Sequence, residues 1–293
     1  MALAERVAFH GIRLALGLGG RLPRGLALGL FGAGGTMVHM LQPRGRDRAR
    51  RNLRLVYGEE ADAERLARRV YHDLGRNAAD LARLERAGAE EIRNLVEATG
   101  LERLDEALGS GRGVIGVTAH LGNWELLAAY LGGRGVPLTA FAGSLFDRRL
   151  DERLVRLRAR HGVNSLVRSK GGWLREGIEV LARGEMLGLL MDLRCRGEGV
   201  CIDFLGRPAK AVVGPVRLAA RTGAVLLPMA CWMTDDRRYR IVIDRPVDLS
   251  LDGGGAVDFK ECTKECIHVL ESYIRAAPTQ WVWMHDRWGL GVA

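Results

Sequence analysis

His120 and Glu125 stand five residues apart in GVIGVTAHLGNWELLAAYL, where an apolar run ends at Thr118–Ala119 and a helical pattern follows Asn123. On one continuous helix, positions five apart point about 140° away from each other. The two side chains can meet only if His120 lies in a loop ahead of the helix. Gly122 permits the tight turn, Asn123 is a good N-cap, and Glu125 then falls in the first helical turn. There the helix dipole favours its charged form by roughly 0.3–1 kcal/mol. An ionised Glu125 is expected to hold the imidazole in one tautomer while His120 takes a proton from a substrate hydroxyl. No protein nucleophile is needed, because the hydroxyl itself would attack an activated acyl carbonyl such as a thioester. The backbone N–H groups of Gly122 and Asn123 are candidate oxyanion donors.

The elements around this block set its context. Residues 60–94 read as helix, with Leu66, Val70, Leu74, Ala78 and Leu81 at three- and four-residue spacing. A short helix fits 101–109. Beyond it, short apolar runs at 112–118, 137–143, 185–191, 224–230 and 239–244 are bounded by glycine, proline or charge, as buried strands are. Helical stretches lie between several of them, at 123–133, 147–161, 171–183 and 214–222, and another spans 258–276. The alternation predicts an α/β layered core of a mostly parallel or mixed sheet flanked by helices. The chain divides into an N-terminal helical membrane-associating segment (1–58) and a catalytic domain (59–293).

Residues 25–42, GLALGLFGAGGTMVHMLQ, contain no Asp, Glu, Lys or Arg. That length just tests the spanning threshold of roughly 18–20 residues, although glycines and His39 weaken it. Arginines follow at 44, 46, 48, 50, 51 and 54, charge that holds its side on the cytoplasmic face. The expectation is an anchor lying on, or dipping into, the inner leaflet; the competing reading is a core helix. The net charge of +9 suits an anionic partner such as a membrane leaflet or an acidic carrier. The five cysteines form no CxxC pair, so neither a zinc site nor a disulfide scaffold is indicated, and no cofactor is implied.

Other chemistries fit poorly. Gly111 to Gly116 spells GxGxxG, but it precedes and enters a predicted strand, so no helix N-terminus follows to hold a dinucleotide. There is no P-loop and no GxSxG elbow. The arginines are spread along many helices without an aromatic-basic motif, which argues against nucleic acid.

HLGNWE resembles the HxxxxE/D block of the lipid A late acyltransferases, and the resemblance runs through nearly the whole chain. RARRNLRLVYG, RLRARHG, ARGEMLGLLMD, VCIDFLGRPAKAVVGPVRLAARTGAVLLP and PTQWVWMHDRW match further family blocks in order. The resemblance implies that His120 and Glu125 are the catalytic pair. It also implies that Arg158, four residues before Gly162, is needed for activity and that Asp192 is a functional acid. Arg158 could pair with acceptor phosphate or with Glu125. Asp192 stands at the carboxyl end of an apolar strand, where α/β sites gather. Two departures stand out. Asp192 is followed by Leu193, Arg194 and Cys195 rather than the family's usual polar residues, and the FFG turn is written FLG. Trp124, Trp281, Trp283 and Trp288 read as core or membrane-interface residues rather than catalysts.

The implied activity is transfer of a fatty acyl chain from acyl carrier protein to a hydroxyl of a lipid A-type glycolipid, at the cytoplasmic face of the inner membrane. Two alternatives stay open. One is the same chemistry on a phosphatidylinositol mannoside with acyl-CoA as donor. The other is a non-catalytic membrane-surface adaptor.

Overall fold

The computed structural model describes residues 17, 19–143, 147–167, 172–195 and 197–289. Seven strands form one sheet in the order β1-β9-β8-β2-β5-β3-β4. They are β1 (Val96–Thr99), β2 (Val114–Thr118), β3 (Leu138–Ala142), β4 (Val163–Val167), β5 (Met186–Leu190), β8 (Val225–Met233) and β9 (Tyr239–Ile243). Every neighbouring pair is parallel except β8 with β9. A separate antiparallel hairpin joins β6 (Gly199–Phe204) to β7 (Arg207–Val212). The architecture is therefore mixed α/β, with a mostly parallel central sheet between helices.

The central strands β2 and β8 are buried on both faces, and alternate residues feed two different cores. Along β8, Val225, Leu227, Met229, Cys231 and Met233 enter one core, while Leu226, Ala230 and Trp232 enter the other. This is the period of two expected of an extended chain. It explains why the runs at 185–191 and 224–230 read as continuous apolar segments rather than alternating ones. One core is covered by helices α1 (Arg24–Leu41), α4 (Ala89–Leu95), α5 (Leu101–Gly109), α6 (Trp124–Gly133) and α7 (Arg148–Arg160). The other takes α2 (Pro43–Tyr57), α8 (Trp173–Ala182), α9 (Gly214–Thr222), α10 (Phe259–Ala276) and the C-terminal Trp281 and Trp283. Helix α3 (Ala63–Leu84) serves both, with Ala67 and Val70 in one core and Ala79 and Leu84 in the other.

The helix expected over 60–94 breaks between Leu84 and Ala89 into α3 and α4. Strands β1 and β4 and the β6–β7 hairpin add to the expected set. They are short and mix polar with apolar residues, so periodicity alone does not find them. The apolar run 25–42 forms α1. Among the described residues, no helix is long and apolar enough to cross a membrane. One side of α1 is packed, with Ala27, Leu28, Gly32 and His39 buried. At Gly35 a Cβ would meet the Tyr71 carbonyl oxygen at 2.0 Å, so α1 lies directly on the α3 backbone there.

Candidate functional site

Strands β2 and β5 run parallel, with Thr118 opposite Leu190. Continuing that register by two residues brings His120 beside Asp192, and the main-chain N–H of Met191 still donates to the Thr118 carbonyl at 3.1 Å. His120 N–H donates to Asp192 Oδ2 at 2.9 Å, and its ring Nδ1 lies 2.8 Å from Asp192 Oδ1. A carboxylate only accepts, so Nδ1 carries the hydrogen and Nε2 is left with its lone pair. The indole Nε1–H of Trp281 donates to Asp192 Oδ2 at 2.7 Å. Asp192 is fully buried. Burial pushes its carboxyl upward, but the His120 charge and ring N–H, the Trp281 indole and the His120 backbone N–H outweigh that and hold it below the usual range.

The His120 partner therefore differs from the sequence expectation. Glu125 does not orient the imidazole; it forms a bidentate pair with Arg158. Arg158 Nε donates to Glu125 Oε2 at 2.8 Å and Nη2 to Oε1 at 2.6 Å, and both residues are buried. Of the two partners weighed for Arg158, the structure shows the carboxylate. The turn itself forms as expected. Gly122 has φ +56, and a Cβ there would meet the Cys231 carbonyl oxygen at 2.1 Å, so only glycine fits. Asn123 caps α6 by accepting the Leu126 N–H through Oδ1 at 3.0 Å.

Neither backbone N–H expected to serve an oxyanion is available. Gly122 N–H donates to the Gln280 carbonyl at 3.0 Å and Asn123 N–H to the Cys231 carbonyl at 3.1 Å. These bonds tie the loop to β8 and to the C-terminal segment, so Gly122 and Asn123 position His120 and do not reach a ligand by these groups. Trp124 packs edge-on to the imidazole, with ring centroids 5.2 Å apart. Trp281 is core, as expected, and its indole edge in addition holds the carboxylate that holds the imidazole. Its only signal in the sequence is the tryptophan-rich end of the chain.

A narrow apolar slot lies between α6 and the sheet. Its walls include Gly116, Ala128, Leu131, Leu138, Met186 and Gly188, and Glu125 and Arg158 form its polar part. Gly116 and Gly188 have no side chains to fill it. The site thus combines a tautomer-fixed imidazole that is partly exposed, a buried ion pair and an apolar slot. Such a set can deprotonate an alcohol next to a hydrocarbon chain.

Residues 4–289 match the family described as bacterial lipid A biosynthesis acyltransferase. The chain is 30% identical over 251 residues to a phosphatidylinositol mannoside acyltransferase of Mycolicibacterium smegmatis, covering 80% of each. It is 30% identical over 193 residues to a protein of that name from Mycobacterium tuberculosis (strain ATCC 25618 / H37Rv), covering 64% of this chain and 58% of the other. A lipid A biosynthesis acyltransferase of Haemophilus influenzae is 22% identical over 245 residues, covering 82% of this chain and 74% of the other.

Proposed function

Since the chain belongs to the bacterial lipid A biosynthesis acyltransferase family, we propose that it transfers a fatty acyl chain from a thioester to a hydroxyl of a membrane glycolipid, with His120 as general base. The observation that carries this is the Asp192 carboxylate on His120 Nδ1, which leaves Nε2 as the proton acceptor. As the acceptor hydroxyl loses its proton to Nε2 and attacks the thioester carbon, the imidazolium forms against a carboxylate already in place. The tetrahedral intermediate collapses by expelling the thiolate, and His120 returns the proton to the sulfur. Glu125 fixes Arg158 at the slot, where the guanidinium hydrogens not used by the ion pair are candidate donors to the developing oxyanion. The slot, about 50 Å³ as it stands, is the entry for the acyl chain and has to widen to take all of it.

Two acceptor classes fit. A lipid A-type precursor follows from the sequence motifs. A phosphatidylinositol mannoside is favoured by the higher identity to the mycobacterial enzymes, 30% against 22%. The donor is read as acyl carrier protein, because the net charge of +9 suits an acidic carrier. The working place is the cytoplasmic face of the inner membrane. In support, Leu26, Leu30, Ala33, Met37 and Leu41 are exposed at four- and three-residue spacing, an apolar stripe on the side of α1 away from the core. The arginines of α2 follow directly, placed to meet anionic lipid.

The test offers the purified protein acyl carrier protein thioesters and acyl-CoA, with a lipid A precursor or a phosphatidylinositol mannoside, and reads product mass. One acyl group is expected on the glycolipid. His120→Ala should abolish transfer while vesicle binding persists; undiminished transfer would remove His120 as the base, and no transfer by the unaltered protein would end the enzyme reading in favour of an adaptor. Transfer that is indifferent to salt and equally fast from acyl-CoA would remove the carrier protein as donor.

A further inference from the structure

A second cavity, of about 650 Å³, opens against the β6–β7 hairpin and the C-terminal turn. Arg194, Lys210, Arg287 and Trp288 line it with Cys195 and Cys201, and among the described residues no carboxylate lines it. Arg287 is fully buried. Its Nη1 donates to the Lys210 carbonyl at 2.7 Å, and its guanidinium stacks on the Phe204 ring at 4.4 Å. Its Nε and Nη2, and the Trp288 indole nitrogen, are buried with no hydrogen-bond partner among the described residues. Burial lowers the Arg287 pKa to about 10, which leaves the group charged at neutral pH. Asp192 and Glu271 act on it from a distance, but among the described residues no carboxylate is in ion-pair contact, and a buried cation in that position gains from an anion that approaches it. Arg194 lies at the edge of the cavity, paired with Asp286 at 2.8 Å. It packs on Gly289, where a Cβ would meet its Cζ at 2.8 Å.

We propose that this cavity binds a phosphate ester, held by Lys210 and Arg287 with Arg194 at the rim, and that the ester belongs to the acyl acceptor lipid. The assignment to the acceptor rests on the transfer reading above and on which side of the sheet each cavity occupies. The apolar slot draws on the core that contains Leu131, Leu138 and Met186. The basic cavity abuts the opposite core through Ala209 and Trp288. His120 and Asp192 stand at the carboxyl ends of the central strands β2 and β5, and Trp288 contacts Trp281, which holds Asp192. A donor chain in the slot and an acceptor phosphate in the basic cavity would approach the imidazole from opposite sides. Arg158, paired with Glu125, lines the slot and not the basic cavity.

The phosphate of the donor's pantetheine arm has the same chemistry, and the test separates the two sources. Calorimetric titration would use dihexanoyl phosphatidylglycerol as a soluble lipid phosphodiester, dihexanoylglycerol as its uncharged counterpart, and 4′-phosphopantetheine. Lys210 is exposed, so Lys210→Met should fold; Arg287→Met need not. Lys210→Met should weaken phosphatidylglycerol binding by about tenfold, as loss of one charge-assisted contact does. Lys210→Arg should restore it, and dihexanoylglycerol and phosphopantetheine binding should not move. Phosphatidylglycerol binding within twofold of the unaltered protein would overturn the site. A loss on phosphopantetheine, alone or equally, would overturn its assignment to the acceptor. Binding is read without turnover, so a protein that binds through Lys210 but transfers nothing would refute the transfer reading and the assignment to an acceptor while leaving the phosphate site standing.

Discussion

His120 and Asp192 are 72 residues apart in the chain, yet they share two hydrogen bonds, one from the backbone N–H and one from the ring. The carboxylate therefore fixes both the position of the imidazole and its tautomer. Asp192→Asn keeps the shape but removes the charge that stabilises the imidazolium. Transfer should fall by about 10²–10⁴, the usual worth of general-base catalysis, with little change in the KM of either substrate. Steady-state rates with saturating donor check this.

The Trp281 side chain reaches the His120 imidazole through Asp192. Trp281→Phe keeps most of the packing and removes one donor. The Asp192 carboxyl should then titrate higher, and kcat should fall by less than in Asp192→Asn. Urea denaturation run alongside separates this from lost packing.

The Glu125–Arg158 pair is buried and bidentate. Glu125→Gln leaves a buried guanidinium without its counter-charge, at a cost of about 3–5 kcal/mol in unfolding free energy. Replacing both, with Glu125→Gln and Arg158→Met, should recover much of that stability. Transfer should stay low in the double variant, since the slot then lacks its oxyanion donor. Recovery of activity together with stability would show that the pair is only structural.

Acid should weaken the fold through Asp192. Its folded-state pKa lies below the ordinary value of 3.8. The stability it contributes is present above that value and is lost as pH falls through the lowered one. Urea midpoints measured from about pH 5 down to about pH 2 should fall less steeply in Asp192→Asn than in the unaltered protein.

Chain preference should follow the slot. At Gly188 a Cβ would sit 3.4 Å from Leu138 Cδ1, a contact the sheet tolerates. Gly188→Ala should therefore fold and narrow the slot, at about 0.8 kcal/mol for each methylene excluded. Product mass should move to shorter acyl chains; an unchanged chain distribution would place the acyl group elsewhere.

The apolar stripe of α1 should drive membrane docking. Leu30→Asp with Met37→Asp changes two exposed positions, so the fold should persist. Each lost apolar contact is worth about 1.5–3 kcal/mol, so partition onto anionic vesicles should drop at least tenfold in a sedimentation assay.

The sequence by itself determined the local parts. The strand ending at Thr118, the left-handed turn that glycine accepts at 122, the Asn123 cap and a carboxylate in the first turn of α6 all depend on near neighbours in the chain. Apolar periodicity placed the central strands and most helices for the same reason. Which carboxylate meets the imidazole was decided only in three dimensions. Parallel pairing of β2 with β5 in one register sets position 120 beside position 192, and a shift by one residue would have turned the carboxylate to the other face. Glu125, nearer in sequence, is drawn instead to Arg158 on α7, because a buried carboxylate must find a cation. The same holds for Trp281. Its bulk marks it as core in any sequence, but its indole N–H could be assigned to Asp192 only once the chain end had packed under the sheet.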